Sequence, residues 1–228
     1  MHLKRLAAPR YVPVARKGFV WLAKPIPGTH PAEESITLLS LVRDVLGVAE
    51  AAREAKKIIR DGAVLVDGRA VKRERFPVGL MDVVSVPATG KNYRVVVDAH
   101  GRMKLSEIAA ADAKYKLCRV ASKSNVRGNK TQIGLHDGRN LLYGEDVSVG
   151  DTVKLAVPDQ KVVEVITLKE TANCMVTKGK HAGTLATVSK LHARRSRRAA
   201  EATLSAGGEE FTTVQKYLFA VGKDFTAA

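Results

Sequence analysis

Between Thr37 and Gly62 the apolar positions recur with helical period. Leu38, Leu39, Leu41, Val42, Val45 and Leu46 form one stripe, and Ala51, Ala52, Ala55, Ile58 and Ile59 form a second. Thr37 stands where an N-cap belongs, Gly47 where the first helix must stop, and Asp61-Gly62 where the second does. Beyond Gly62 the period changes from helical to alternating. Val64-Leu65-Val66, Asp67-Gly68 and Arg69-Ala70-Val71 read as a hairpin, because Asp-Gly supplies the positive φ of a tight turn. Val83, Val84 and Val86 add a strand, so 37–88 reads as a compact α/β module.

The next stretch, 89–170, reads as mainly β. Tyr93–Asp98 and the segment from His100-Gly101 to Leu105 suggest a hairpin, and short strands follow at Leu117–Ala121 and Thr131–Leu135. His136–Asn140 is a turn, and Pro158-Asp159 separates the strands Thr152–Val157 and Lys161–Leu168. Short strands at this spacing suggest a small barrel. In 171–228 a strand at Asn173–Thr177 leads through the basic, glycine-rich turn Lys178–Gly183 into a strand at Thr184–Val188, and a further strand covers Tyr217–Val221. Residues 1–36 differ from all of this. Pro9, Pro13, Pro25, Pro27 and Pro31 prevent regular helix and central strand, so the segment reads as an extended arm. The expected fold class is therefore α+β and multi-domain, divided at 1–36, 37–88, 89–170 and 171–228.

Charge gives this organisation a partner. The chain of 228 residues has 38 Lys plus Arg against 23 Asp plus Glu, a net +15, and such a surplus attracts polyanions. Nucleic acid is the first candidate and an anionic membrane surface the second. No apolar run approaches the roughly 18 residues that span a bilayer. The start, Met1–Arg10, lacks the apolar core of a secretory signal, so a cytoplasmic location is expected. Cys118 and Cys174 lie far apart and read as buried, reduced thiols, and the six histidines show no metal-binding spacing. No cofactor, metal or small-molecule substrate is expected.

The candidate contacts are cations with a few flat side chains. The arm interleaves Lys4, Arg5, Arg10, Arg16 and Lys17 with Tyr11, Phe19 and Trp21, a pattern able to follow a phosphate backbone while an aromatic stacks on a base. Arg53, Lys56, Lys57 and Arg60 lie three or four apart and share a helix face, with Arg43 on the preceding helix and Lys72 and Arg73 beyond the hairpin. By charge alone this face could equally be a solvated one, since Glu50, Glu54, Asp61 and Glu74 are available as partners. Arg194, Arg195, Arg197 and Arg198 place four positive charges within five residues.

The stretch LLSLVRDVLGVAEAAREAKKIIRDGAVLVDGRAVKRERFPVGLMDVVSV resembles the S-four-type RNA-binding module, and VTKGKHAGTLATV resembles a KOW motif. With HLKRLAAP, KPIPGTHPAEES and LHDGRN in this order, the chain resembles the archaeal and eukaryotic-type small-subunit ribosomal proteins of the S-four-e family from His2 to about Lys223. The resemblance implies a basic N-terminal extension, an S-four-type module, a central β domain and a C-terminal KOW barrel of SH3-like type. It implies small-subunit rRNA and neighbouring small-subunit proteins as partners, and no enzymatic activity. It also implies an RNA-facing role for Arg43, Arg53, Lys56, Lys57 and Arg60, and for Lys178, Lys180 and His181 at the KOW turn, with Gly179 and Gly183 allowing close approach. Two other readings compete. An RNA-modifying enzyme that uses the module as a handle would need a larger α/β catalytic domain, and a KOW-type elongation factor would need a polymerase-binding domain. The remaining chain suits neither.

Overall fold

The structure, a computed structural model, describes residues 3–128, 130–192, 199–222 and 225. The chain divides into two compact units: 1–96 with 102–116 and 157–159, and 97–101 with 117–156 and 160–228.

The first unit opens with β1 (Leu3–Lys4) and β2 (Trp21–Leu22), which pair antiparallel, followed by β3 (Ser35–Thr37). A single helical turn, α1 (Leu38–Ser40), runs into a π-helical turn at Leu41–Val45, and α2 spans Ala52–Arg60. Thr37 caps α1 as its position suggests: its Oγ1 accepts from Ser40 N at 3.3 Å. Gly47 then takes φ +64° and stops the turn. Glu54 starts α2 by accepting from Ala51 N at 3.2 Å. Ala55 and Ile59, one turn apart, are fully buried, and their face packs α2 into the core. After α2 come β4 (Leu65–Val66), β5 (Arg69–Ala70), β6 (Pro77–Gly79), β7 (Val83–Val86), β8 (Lys91–Val97) and β9 (Met103–Ile108). The Asp67-Gly68 turn has φ +49° and +72°, the left-handed pair a two-residue hairpin requires.

One expectation changes in this unit. The N-terminal segment is not a free arm, because Ala8, Val12, Val14 and Leu22 are buried in the same core as Leu38, Leu41, Ala55, Ile59 and Val84. Proline fixes an extended backbone there, but an extended backbone with alternating apolar residues still packs. The sheet of the module also extends past 88. The order β5-β4-β7-β8-β9 adds the hairpin of 91–108 to the module's own sheet, where Val95 and Met103 join the same core.

The second unit is all β. β10 (Tyr115–Val126), which begins in the first unit, is followed by β11 (Lys130–Leu135), β12 (Asn140–Leu142), β13 (Thr152–Ala156) and β14 (Val162–Ile166). They form a five-stranded sheet in the order β12-β11-β10-β13-β14. A second five-stranded sheet has the order β18-β17-β16-β15-β19. Its strands are β15 (Asn173–Val176), β16 (Leu185–His192), β17 (Glu201–Ala206), β18 (Glu209–Val214) and β19 (Leu218–Ala220). Each sheet has its own core, one around Val120, Ile133 and Leu155 and the other around Cys174, Val188, Leu204 and Leu218. The β17–β18 hairpin was not foreseen. Its signal is Gly207-Gly208, both with positive φ, between two alternating segments. Both cysteines are buried thiols outside any disulfide, and burial pushes the Cys174 thiol up to about 12.

A buried ionic cluster ties the first unit together. Lys116 Nζ, fully enclosed, donates to Asp67 Oδ2 at 2.9 Å and to Asp82 Oδ1. His30 Nε2 lies 3.0 Å from the same Asp82 oxygen. Gly79 N donates to Asp82 Oδ2 at 2.9 Å, and Val83 N donates to Asp67 Oδ1 at 3.1 Å. The N-terminal segment, the hairpin turn, the β6–β7 turn and the first residues of β10 therefore meet at one point. Burial alone would raise the Asp82 pKa. The Lys116 ammonium and the His30 ring outweigh burial and hold the carboxyl well below the usual range.

Candidate nucleic-acid interface

On α2 the buried stripe of Ala55 and Ile59 turns Arg53, Lys57 and Arg60 outward, and all three are exposed. Lys56 and Arg60 both reach Glu74, at 3.2 and 3.5 Å. This shared carboxylate holds the 72–75 segment beside α2, so exposed Lys72 and Arg73 join the helix face. Leu39 N donates to Glu74 O at 2.9 Å and fixes that approach through the backbone. Arg53, Lys57, Arg60, Lys72 and Arg73 thus form one basic surface. Lys56, half-buried beside them, pairs with Glu74 as Arg60 does.

Other candidates are used inside the protein. Arg5 is buried; its guanidinium donates to Ala15 O at 3.0 Å and to Asp44 Oδ1 at 2.9 Å. Arg43 grips the same carboxylate as a fork, at 3.0 and 2.8 Å. Arg16 is half-buried, and its guanidinium gathers the carbonyls of Arg5, Leu6, Ala8 and Pro9, which folds that turn. The sequence reading could not separate Arg5 and Arg16 from exposed arginines, because the acid and carbonyls they meet are distant in the chain or belong to the backbone, whereas the partner of Arg43 is its neighbour Asp44. Tyr11 is also turned inward. Its hydroxyl is enclosed with no hydrogen-bond partner among the described residues, and burial, with Asp82 and Glu34 nearby, pushes its pKa far above the usual value. What the segment exposes is Lys4, Arg10 and Lys17 together with Leu6, Phe19 and Trp21, the last three 74%, 72% and 55% accessible. Trp21 is the cross-strand partner of Lys4, so indole and ammonium stand on one side of the β1–β2 ladder.

In the second unit, Lys178 and Lys180 are exposed on the turn between β15 and β16. His181 stacks on Phe211, with ring centroids 4.0 Å apart and planes at 15°. One face of the imidazole is thus covered by β18. Gly183 serves the protein itself. It takes φ +77°, and a Cβ there would collide with the Asp98 backbone. Gly183→Ala is therefore expected to lower stability by at least about 1–3 kcal/mol from backbone strain alone, read as a reduced urea midpoint. Arg194, Arg195, Arg197 and Arg198 lie outside the described residues. Among the described residues no group of His, Cys, Asp and Glu could hold a metal, and no helix is long and apolar enough to cross a membrane.

A helix-and-hairpin module with a basic outer face, followed by small all-β sheets, defines an RNA-binding class of protein. Comparison with known proteins agrees. The S4 domain model matches residues 41–84, the RS4NT (NUC023) domain matches 1–33 and the Ribosomal family S4e model matches 89–162. The chain is 45% identical to the small ribosomal subunit protein eS4 of Methanothermobacter thermautotrophicus over 224 residues, covering 98% of this chain and 93% of that protein. It is 42% identical to that of Methanocaldococcus jannaschii over 232 residues, covering 98% and 94%. The crystal structure of the 30S ribosomal protein S4e from Thermoplasma acidophilum superposes with a TM-score of 0.73 at 34% identity, covering 84% of this chain and 96% of that one. The chain belongs to the small ribosomal subunit protein eS4 family, a family of structural ribosomal proteins and not of enzymes.

Proposed function

We propose that this chain is a structural constituent of the small ribosomal subunit, working in the cytoplasm, that binds rRNA through several basic modules and supports subunit assembly and translation. The observation that carries the reading is the surface of Arg53, Lys57, Arg60, Lys72 and Arg73, five exposed cations on and beside α2, where Glu74 pairs with Arg60 and with neighbouring Lys56. Cations so placed contact phosphates of a folded RNA without reading its sequence. Lys4, Arg10, Lys17 and Trp21 of the N-terminal segment supply a second contact, and Lys178 and Lys180 with the KOW-like turn a third. Arg194, Arg195, Arg197 and Arg198 remain part of the proposal on charge alone. Linked modules raise one another's effective concentration once the first has docked. Neighbouring small-subunit proteins are the expected protein partners, and no small-molecule substrate is part of the reading.

The test is the double charge reversal Arg53→Glu with Lys57→Glu, both at exposed positions. Filter binding to small-subunit rRNA is expected to show weaker affinity and a salt slope shallower by about one for each phosphate no longer neutralised, with an unchanged circular-dichroism melt. Unchanged affinity and slope would remove the α2 face from the interface.

A further inference from the structure

The outer half of the β10–β11 hairpin is built differently from the rest of the sheet. Backbone bonds link Val120 to Asp151 and Gly150, and beyond that point β10 runs past the start of β13. Ala121 to Asn125 are then exposed without a break, whereas a strand packed on a core alternates. The register pairs Ser122 with Gly134, Ser124 with Gln132 and Val126 with Lys130, and β12 continues the same face with Asn140 opposite Gly134. Paired residues share a face, so Ser122, Ser124, Gln132, Lys130 and Asn140 stand together. Ile133, on the opposite face, is fully buried, so the polar face is the one turned to solvent.

That face has a specific chemistry. Its polar groups are short hydroxyls and amides, each able to donate and accept, and Leu142, the exposed partner of Gln132, and Val126 share the face with them. It is also shallow, because Gly134 has no side chain and a Cβ there would run into Ser122 Oγ. Its charge lies towards the tip, at Arg127 and Lys130, whereas Lys123 pairs with Ile133 and so belongs to the opposite face. No acidic residue occurs in the chain between Asp112 and Asp137. Among the described residues of the ribbon, Lys123 alone is seen to meet an acid, the freely exposed Asp146 at 2.9 Å, a pairing of little strength.

From this arrangement we infer that the β10–β11 ribbon is a docking surface for double-helical RNA, entering the wide, shallow minor groove. The hydroxyls and amides hydrogen-bond 2′-hydroxyls, and Arg127 and Lys130 meet the flanking phosphates. A-form RNA presents such a groove lined with 2′-hydroxyls, and B-form DNA does not. The chain's net charge of +15 favours this occupant over a basic protein segment. The inference rests on the rRNA-binding reading and names the kind of element this part of the chain takes.

The experiment uses the full chain with a blunt RNA duplex of about 16 base pairs and its DNA counterpart. The wild-type chain is expected to prefer the RNA duplex. Ser124→Asp with Gln132→Glu should weaken RNA-duplex binding by at least about tenfold, and Ser124→Ala with Gln132→Ala should erase most of the RNA-over-DNA preference. Equal affinity for the two duplexes, or variants that bind the RNA duplex like wild type, would overturn the ribbon assignment. In that event intact, salt-sensitive binding to small-subunit rRNA would leave the broader reading standing. Loss of binding to rRNA altogether would overturn both.

Discussion

Replacing Lys116 with methionine should cost the first unit about 3–5 kcal/mol, a large share of the stability of a domain this size. Methionine fills a similar volume, so the loss is electrostatic. It leaves Asp67 and Asp82 buried without the ammonium that both share in the wild type, while His30 and backbone N–H groups still meet them. The wild-type cluster works in the opposite sense. The Asp82 pKa is held below its ordinary 3.8, so its contribution is complete above that pH and is lost as the pH falls below it. In the variant, carboxylates buried without the Lys116 ammonium gain by taking up a proton, so its stability should rise as the pH falls. Urea denaturation at neutral and acid pH should therefore show a gap between the two proteins that narrows towards acid. A cost under about 1 kcal/mol at neutral pH, or a gap that stays constant, would contradict the role given to Lys116.

This cluster also marks the limit of what local sequence patterns reveal. The helical stripes, the Thr37 cap and the Asp67-Gly68 hairpin depend on neighbours a few residues away, and they were legible for that reason. Lys116 reads in the sequence as one basic residue among many, because Asp67 and Asp82 lie 49 and 34 positions earlier. The burial of Arg5 is hidden in the same way, since Asp44 is 39 positions away. The candidate surface divides along this line. Arg53 and Lys57 are set outward by the periodicity of α2 itself, which the sequence carries. Lys56 and Arg60 acquire Glu74 only when the 72–75 segment folds back, which no local pattern announces. The proline-rich start was misjudged for another reason. Proline density reports the absence of helix, whereas burial of Val12, Val14 and Leu22 depends on an apolar surface that the later helices supply.

Binding to small-subunit rRNA is expected to fall by about 10³–10⁵ between 50 and 200 mM salt if six to ten phosphates are neutralised. The exposed cations suffice for that range: Lys4, Arg10 and Lys17, the five of the α2 surface, and Lys178 and Lys180. Two substitutions that each remove one positive charge separate display from mere content. Lys57→Gln acts at an exposed site and should flatten the slope by about one with the melt unchanged. Arg5→Gln removes the same formal charge from a buried site and leaves Asp44 with Arg43 alone. It should lower the unfolding midpoint and leave the salt slope of the folded protein as it was. If the two variants shifted the slope equally, net charge and not its placement on the fold would govern binding, and the modular account of the interface would fail.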